Sequence, residues 1–275
     1  MTVGCALQQG CRLLEEAAVP VARLTAEVLL ARALRAERTY LYSHPEVELS
    51  ERAWIHYGRY LKQRLDGVPT QYITKRQEFY GREFRVTPEV LIPRPETELV
   101  VETVLGLPEA RRILDVGCGS GAIGITLSLE TRAEVWASDI STAALGVAAE
   151  NARRLEARTR FAASDLTAAF AAASFDVIAS NPPYVAEKDA DGLQREVRDH
   201  EPQIALFAGP TGLELYARLI ADAPRVLRAG GWLVMELGYR SYDAVRAMLG
   251  VGWEEIRVTD DLAGIPRVLA GRWRG

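Results

Sequence analysis

The sequence predicts an α/β fold, a mostly parallel sheet covered by helices on both faces and preceded by a smaller helical domain. Three observations predict it. Short apolar runs alternate with helical patterns from Arg111 onward, the signature of strand–helix–strand units. Arg112-Ile113-Leu114-Asp115-Val116 runs into a glycine-rich turn and then a helix-forming stretch. The first part of the chain shows no strand pattern at all.

In chain order, residues 1–70 read as helices. Leu7, Cys11, Leu14 and Ala18 recur at helical spacing. Leu24 to Leu34 is rich in Ala, Leu, Glu and Arg, all good helix formers. Ser50 is a natural N-cap for a helix running to Asp66, and Gly67 would stop it. Residues 71–95 form a linker. Within it, Glu78 to Val86 places aromatics on both sides of Gly81, as a short hairpin does, and Pro93 and Pro95 resist regular structure. Residues 96–275 carry the sheet. The strand candidates are Ile113–Val116, Val135–Ser138, Thr159–Ala162, Val177–Ala179 and Trp232–Leu237. Helices are expected near Ala122–Leu129, Ala143–Leu155 and Gly212–Leu227.

Composition excludes several classes. With 275 residues, 48% hydrophobic and 25% charged, the chain can bury a core and is not intrinsically disordered. A formal net charge of −4 disfavours a generic nucleic-acid coat. Residues 1–75 hold 10 basic and 8 acidic residues, net +2; the remainder holds 23 and 29, net −6. Cys5, Cys11 and Cys118 give no disulfide framework and fit a reducing cytoplasm. No secretory signal or membrane span is expected. His44, His56 and His200 form no metal-binding pattern, so no metal is expected.

The turn Gly117-Cys118-Gly119-Ser120-Gly121 follows the first sheet strand, at the carboxyl edge where open α/β sheets bind ligands. Asp139 ends the next strand, where a carboxylate can accept both hydroxyls of a ribose. Asp165 and Leu166 end the third, where a polar group can meet an adenine amine and a leucine can pack on the ring. Gly119-x-Gly121-x-x-Gly124 matches a dinucleotide fingerprint. Asp115 ahead of Gly-x-Gly-x-Gly equally suits S-adenosylmethionine, and a merely tight turn is the third reading.

A second motif bears on that choice. Phe175 to Ser180 is a buried strand that must end at Asn181, because Pro182 and Pro183 follow. The Asn181 side-chain oxygen and the Pro182 carbonyl are two acceptors at a rigid corner, suited to an –NH2 group. Tyr184 offers a flat face to a planar group. An amide or aromatic amine needs its protons accepted and its nitrogen aligned with a methyl donor, not a strong base or a metal.

These residues together resemble the class I S-adenosylmethionine-dependent methyltransferases that act on planar nitrogens. Gln71-Tyr72-Ile73-Thr74, Glu78-Phe79-Tyr80-Gly81, Leu91-Ile92-Pro93-Arg94-Pro95-Glu96-Thr97-Glu98, Glu201-Pro202-x-x-Ala205-Leu206 and Ile265-Pro266-Arg267-Val268 narrow the resemblance to the bacterial release factor glutamine methyltransferases, the PrmC/HemK family. It spans nearly the whole chain. It implies a Rossmann-like seven-stranded sheet, an N-terminal helical domain that recognises the substrate, and a β-hairpin linker. It also implies methyl transfer to the glutamine amide of the Gly-Gly-Gln tip of class 1 peptide chain release factors, in the cytoplasm. By the same resemblance, Gly117, Cys118, Gly119, Ser120 and Gly121 contact the methionine part of S-adenosyl-L-methionine, Asp139 the ribose, and Asp165 and Leu166 the adenine, with Asn181 also at the cofactor. Asn181, Pro182, Pro183 and Tyr184 hold the glutamine amide. The product is S-adenosyl-L-homocysteine, and no membrane or stable nucleic-acid partner is implied. Two positions depart from the family pattern: Lys75 and Ala208 stand where glycine is expected.

A DNA or RNA adenine methyltransferase presents the same chemistry to a flipped base, but the acidic balance and lack of a separate basic domain count against it. A non-catalytic binding protein and an NAD-dependent oxidoreductase are the remaining readings. Arg94, Glu96 and Glu98 fit either a helix start or a lid over the cofactor. Phe79, Tyr80 and Phe84 are expected to pack the hairpin, Cys118 to be a small filler, and His200 to be structural.

Overall fold

A computed structural model describes residues 1–275. The chain forms two compact units, Met1–Lys75 with Gln194–His200, and Arg76–Leu193 with Glu201–Gly275. The linker expected over 71–95 is therefore divided, residues 71–75 falling in the first unit and 76–95 in the second.

The first unit is helical, with helices Val3–Glu16, Ala22–Leu34, Arg38–Ser43, Glu51–Leu65 and Thr70–Thr74. Leu14, Leu29, Leu30, Leu41, Tyr57 and Leu61 supply its core. Ser50 caps its helix by accepting from the Ala53 N–H at 3.2 Å, and Gly67 follows its end at φ +98°. Ala18 lies beyond its helix, at φ +53°. Gln194–His200 joins this unit through a buried cation: Arg64 pairs with Glu196 at 2.6 Å. Lys75 closes the helix Thr70–Thr74 in the left-handed region, at φ +62° and ψ +30°. That conformation explains the glycine expected there, since only glycine adopts it without steric cost.

The second unit opens with a hairpin, β1 (Gln77–Phe79) and β2 (Arg82–Phe84). Tyr80 and Gly81 make its two-residue turn with φ of +50° and +68°, the left-handed pair that suits the twist of a tight hairpin. Phe79 and Phe84 are buried edge-to-face, 6.0 Å between centroids, so these two aromatics pack the hairpin.

The main sheet comprises β3 (Arg112–Val116), β4 (Glu134–Asp139), β5 (Arg160–Ala163), β6 (Phe175–Ser180), β9 (Leu227–Glu236), β10 (Trp253–Asp260) and β11 (Pro266–Trp273). A small parallel pair, β7 (Val185–Ala186) and β8 (Phe207–Gly209), stands apart. The order is β10-β11-β9-β6-β3-β4-β5, with β11 antiparallel to both β10 and β9 and every other pairing parallel. Side chains alternate across its central strands, broken on β6 by a register shift between Phe175 and Val177. Ile113, Val177, Val234 and Val268 pack one face with helices Glu98–Leu105 and Ala122–Glu130. Leu114, Ile178, Leu233 and Leu269 pack the other with helices Glu214–Val226 and Tyr242–Met248. Burial on both faces requires the near-continuous apolar strands that the sequence shows.

Candidate active site

β3 lies between β4 and β6, so the strand order reverses there, and such a reversal leaves a crevice at the carboxyl ends of the strands. The glycine loop leaves β3 and the Asn181–Tyr184 turn leaves β6. The two strand ends are tied together: Val116 and Ser180 are register partners, and the Ser180 Oγ donates to the Val116 carbonyl at 2.7 Å.

Gly117, Gly119 and Gly121 have φ of +72°, +52° and +82°, so the loop needs glycine at each. The N–H groups of Gly117 and Cys118 donate to the Ser138 carbonyl at 2.8 and 2.9 Å. That of Gly119 donates to Asp139 Oδ2 at 2.9 Å, and that of Ser141 to Asp139 Oδ1 at 2.8 Å. The half-buried Asp139 carboxylate is therefore oriented by backbone at the end of β4. A Cβ built on Gly117 or Gly119 would meet nothing within 4 Å, so the loop presents an open face. Gly124 does something else. A Cβ there would stand 2.9 Å from Asp115 Oδ2, which accepts the Gly124 N–H at 2.8 Å. The glycine that completes the dinucleotide-like spacing thus serves helix-to-strand approach.

Asp115 is fully buried, and its Oδ1 has no hydrogen-bond partner. Burial pushes its pKa up to about 7; the Gly124 N–H opposes this and the nearby Asp139 charge adds to it. Cys118 is buried and its thiol is raised well above the ordinary value, chiefly by burial, with the Asp115 and Asp139 charges adding, which disfavours the thiolate. Ser120 is buried, and its carbonyl accepts from Asn151 at 2.9 Å. Asp165 is exposed and pairs with Arg218 at 2.7 Å, while Leu166 is half-buried at φ +49°.

The Asn181 turn is held by residues the motif did not reveal. Asn181 Nδ2 donates to Thr97 Oγ1 at 3.1 Å, and Thr97 Oγ1 donates to Glu236 Oε2 at 2.5 Å. The Tyr184 hydroxyl donates to Glu236 Oε1 at 3.5 Å. Glu236 is 3% exposed at the end of β9. Burial pushes its pKa up to about 7, against the Thr97 hydrogen bond and the Arg267 charge. Burial also raises the Tyr184 phenol, and the Glu236 charge adds to it. The Tyr184 ring lies on Gly238, where a Cβ would come within 2.8 Å of it. Gly212 approaches the Tyr184 carbonyl as closely, at 2.6 Å for a Cβ. A glutamate inside the apolar run Trp232–Leu237 was the available signal for Glu236, because an acidic residue there demands partners.

Arg94 pairs with the buried Glu201 at 2.5 Å, and Glu201 also accepts the Ile92 N–H at 3.2 Å. Glu98 accepts the Tyr80 N–H at 2.7 Å. Both residues therefore anchor the segment that delivers Thr97, whereas Glu96 is exposed.

Residues 95–198 match the family described as Methyltransferase small domain, and residues 6–74 match the PrmC N-terminal domain. A release factor glutamine methyltransferase of Koribacter versatilis is 47% identical over 277 residues, covering 99% of each chain. One of Nitratidesulfovibrio vulgaris is 41% identical, covering 97% of this chain and 93% of its own. The chain belongs to the release factor glutamine methyltransferase family. A methyltransferase structure from Pyrococcus furiosus shares the fold at 16% identity and a TM-score of 0.54, covering 70% of this chain and 89% of its own. So does a Thermus thermophilus 16S rRNA N2 methyltransferase in complex with AdoMet and guanosine, at 20% identity and 0.52, covering 72% and 50%.

Membership makes this an S-adenosylmethionine-dependent methyltransferase. The residues present fit that cofactor. The open faces of Gly117 and Gly119 leave room for it, and the unpartnered Asp115 Oδ1 is an acceptor that its ammonium group would satisfy. No helix is long and apolar enough to cross a membrane.

Proposed function

We propose that this enzyme methylates the side-chain amide nitrogen of the glutamine in the Gly-Gly-Gln tip of class 1 peptide chain release factors. The observation that carries the reading is the pairing of the β3 and β6 ends, which sets the glycine loop beside the Asn-Pro-Pro-Tyr turn. Gly117, Cys118, Gly119, Ser120 and Gly121 cradle the methionine part of the cofactor, Asp139 the ribose, and Asp165 with Leu166 the adenine. The Asn181 Oδ1 and the Pro182 carbonyl accept the two protons of the glutamine –NH2. Pro183 fixes the corner, and Tyr184 presents its face to the amide plane. Residues 1–70 recognise the body of the release factor. A substrate that works on the ribosome puts the enzyme in the cytoplasm.

An amide nitrogen is a poor nucleophile because its lone pair is delocalised into the carbonyl. Accepting both of its protons aligns the nitrogen and raises its electron density, and placement does much of the rest. S-adenosyl-L-methionine supplies a methyl activated by a sulfonium. With it bound, the glutamine nitrogen would take the methyl as the S–CH3 bond breaks, leaving S-adenosyl-L-homocysteine, and one amide proton would pass from its acceptor, Asn181 Oδ1 or the Pro182 carbonyl, to solvent.

A tritiated-methyl transfer assay tests this reading. Unmodified release factor, its Gly-Gly-Gln→Gly-Gly-Ala variant and unmethylated duplex DNA are offered in parallel. Label on the unmodified factor alone is expected. Label on DNA, or undiminished label on the variant factor, would overturn it.

A further inference from the structure

We infer that Thr97 and Glu236 form a polarity chain that decides which end of the Asn181 side chain faces the reacting nitrogen. The inference rests on the reading of Asn181 as the acceptor of an amide proton. A carboxamide has two ends of nearly equal shape but opposite hydrogen-bonding sense. Turned over, Asn181 would meet the substrate –NH2 with its own –NH2, and the site would lose an acceptor. Neither the preceding strand nor the two prolines that follow distinguish the two orientations.

The buried chain does distinguish them. Above its raised pKa of about 7 Glu236 is ionised and can only accept, so the relay operates on the alkaline side of that value. Thr97 Oγ1 has a single proton and stands 2.5 Å from Glu236 Oε2, so that proton is committed to the carboxylate. The Thr97 oxygen is then left as an acceptor, and the group 3.1 Å away on Asn181 must be the Nδ2 donor. Oδ1 is thereby turned away from Thr97 as the free acceptor. Thr97 and Glu236 are 4% and 3% exposed, so water does not compete for these bonds. The three residues come from three separate elements, the turn Pro95–Thr97, the end of β6 and the end of β9. Burying a carboxylate here is unfavourable for packing alone, which is what a group retained for its acceptor sense would show. Thr97 and Glu236 are positioning residues in this scheme, and neither touches the substrate.

The test compares Thr97→Val, Thr97→Ser, Glu236→Gln and Asn181→Ala on unmodified release factor, reading kcat, KM, cofactor Kd and thermal midpoint. Thr97→Val keeps the shape and removes the relay. It is expected to lower kcat about tenfold or more, the worth of one hydrogen bond to the reacting group, with cofactor Kd within about twofold of the parent. Thr97→Ser restores the hydroxyl and is expected to recover kcat to within about threefold. If Thr97→Val does not fold, Glu236→Gln decides. Its amide can satisfy Thr97 in either sense, so kcat should fall with cofactor Kd unchanged, and a parental kcat overturns the inference. Parental kcat in Thr97→Val, or equal losses in Thr97→Val and Thr97→Ser, also overturns it. Asn181→Ala separates the two levels. If it is inactive while Thr97→Val is parental, the relay is wrong and the role of Asn181 stands. If Asn181→Ala itself is parental, the reading of the site falls and the relay with it.

Discussion

The unpartnered oxygen of Asp115 makes a prediction about stability as well as binding. Its pKa is about 7 in the fold, against 3.8 for an unperturbed aspartate, a difference worth up to about 4 kcal/mol. The sign follows from proton counting. Between those two values the folded state holds the proton and the unfolded state does not, so raising pH through that window destabilises the fold, by up to about 1.4 kcal/mol per pH unit. Asp115→Asn removes the titration. The carboxamide oxygen keeps an acceptor for the Gly124 N–H, while its –NH2 brings two unpaired buried donors where the protonated carboxyl has one, a further pH-independent cost of about 1–3 kcal/mol. Cofactor-free Asp115→Asn should therefore be less stable than the parent at pH 4, and the gap should close or reverse by pH 8. Other carboxylates, including Glu236, titrate in both proteins and cancel in the difference. Urea unfolding of both proteins at pH 4 to 8 measures it. Calorimetry at pH 8 should show weaker cofactor binding by the variant, by about tenfold or more, because the ammonium loses its counter-charge. A stability difference that stays constant across that pH range would refute the assignment of the raised pKa to Asp115.

Two further substitutions test the local geometry. Gly238→Ala puts a Cβ within 2.8 Å of the Tyr184 ring, so it should cost about 1–3 kcal/mol in unfolding free energy and raise KM for release factor, with cofactor Kd unchanged; parental kinetics would show that the Tyr184 ring position does not matter. Lys75→Gly relieves a left-handed residue, worth about 1–2 kcal/mol, against about 0.5–1 kcal/mol of extra chain entropy, so the thermal midpoint should rise by about 1–3 °C, and a fall would refute the strain.

The parallel strands and the two motif loops were legible because each is a local pattern. Apolar runs mark β3, β4, β6 and β9, and glycine and proline mark the turns that leave β3 and β6. The edge was not legible. β10 carries Glu254, Glu255 and Arg257 and has no buried residue, as suits an edge strand, so its pattern has no apolar run to find. β11 is buried over Val268 to Gly271, but Pro266, Arg267 and Gly271 break its pattern into a short stretch. The division of the chain was also hidden. Gln194–His200 joins the helical unit through an ion pair between Arg64 and Glu196, residues far apart in sequence. The segment Leu91 to Glu98 drew attention to its charges, yet its buried threonine makes the contact with Asn181. The partners of that threonine lie 84 and 139 residues away, at Asn181 and Glu236, beyond any local pattern.

The two buried carboxylates share a physical logic that a packing argument alone does not give. Asp115 and Glu236 lie on one sheet, on β3 and β9 with β6 between them, both almost fully buried, both with pKa values pushed up to about 7. A core optimised for stability would replace each with an apolar side chain. Each instead holds an acceptor in a fixed direction. Asp115 leaves one oxygen unpaired beside the loop whose open face suits a cationic cofactor. Glu236 uses one oxygen to commit the Thr97 proton and so leaves Asn181 with its acceptor outward. Once ionised, above those pKa values, each carboxylate imposes a one-way sense on its neighbours that a neutral residue filling the same space could not. A reaction that needs aligned acceptors and no strong base therefore concentrates its energetic cost in the carboxylates that orient the site.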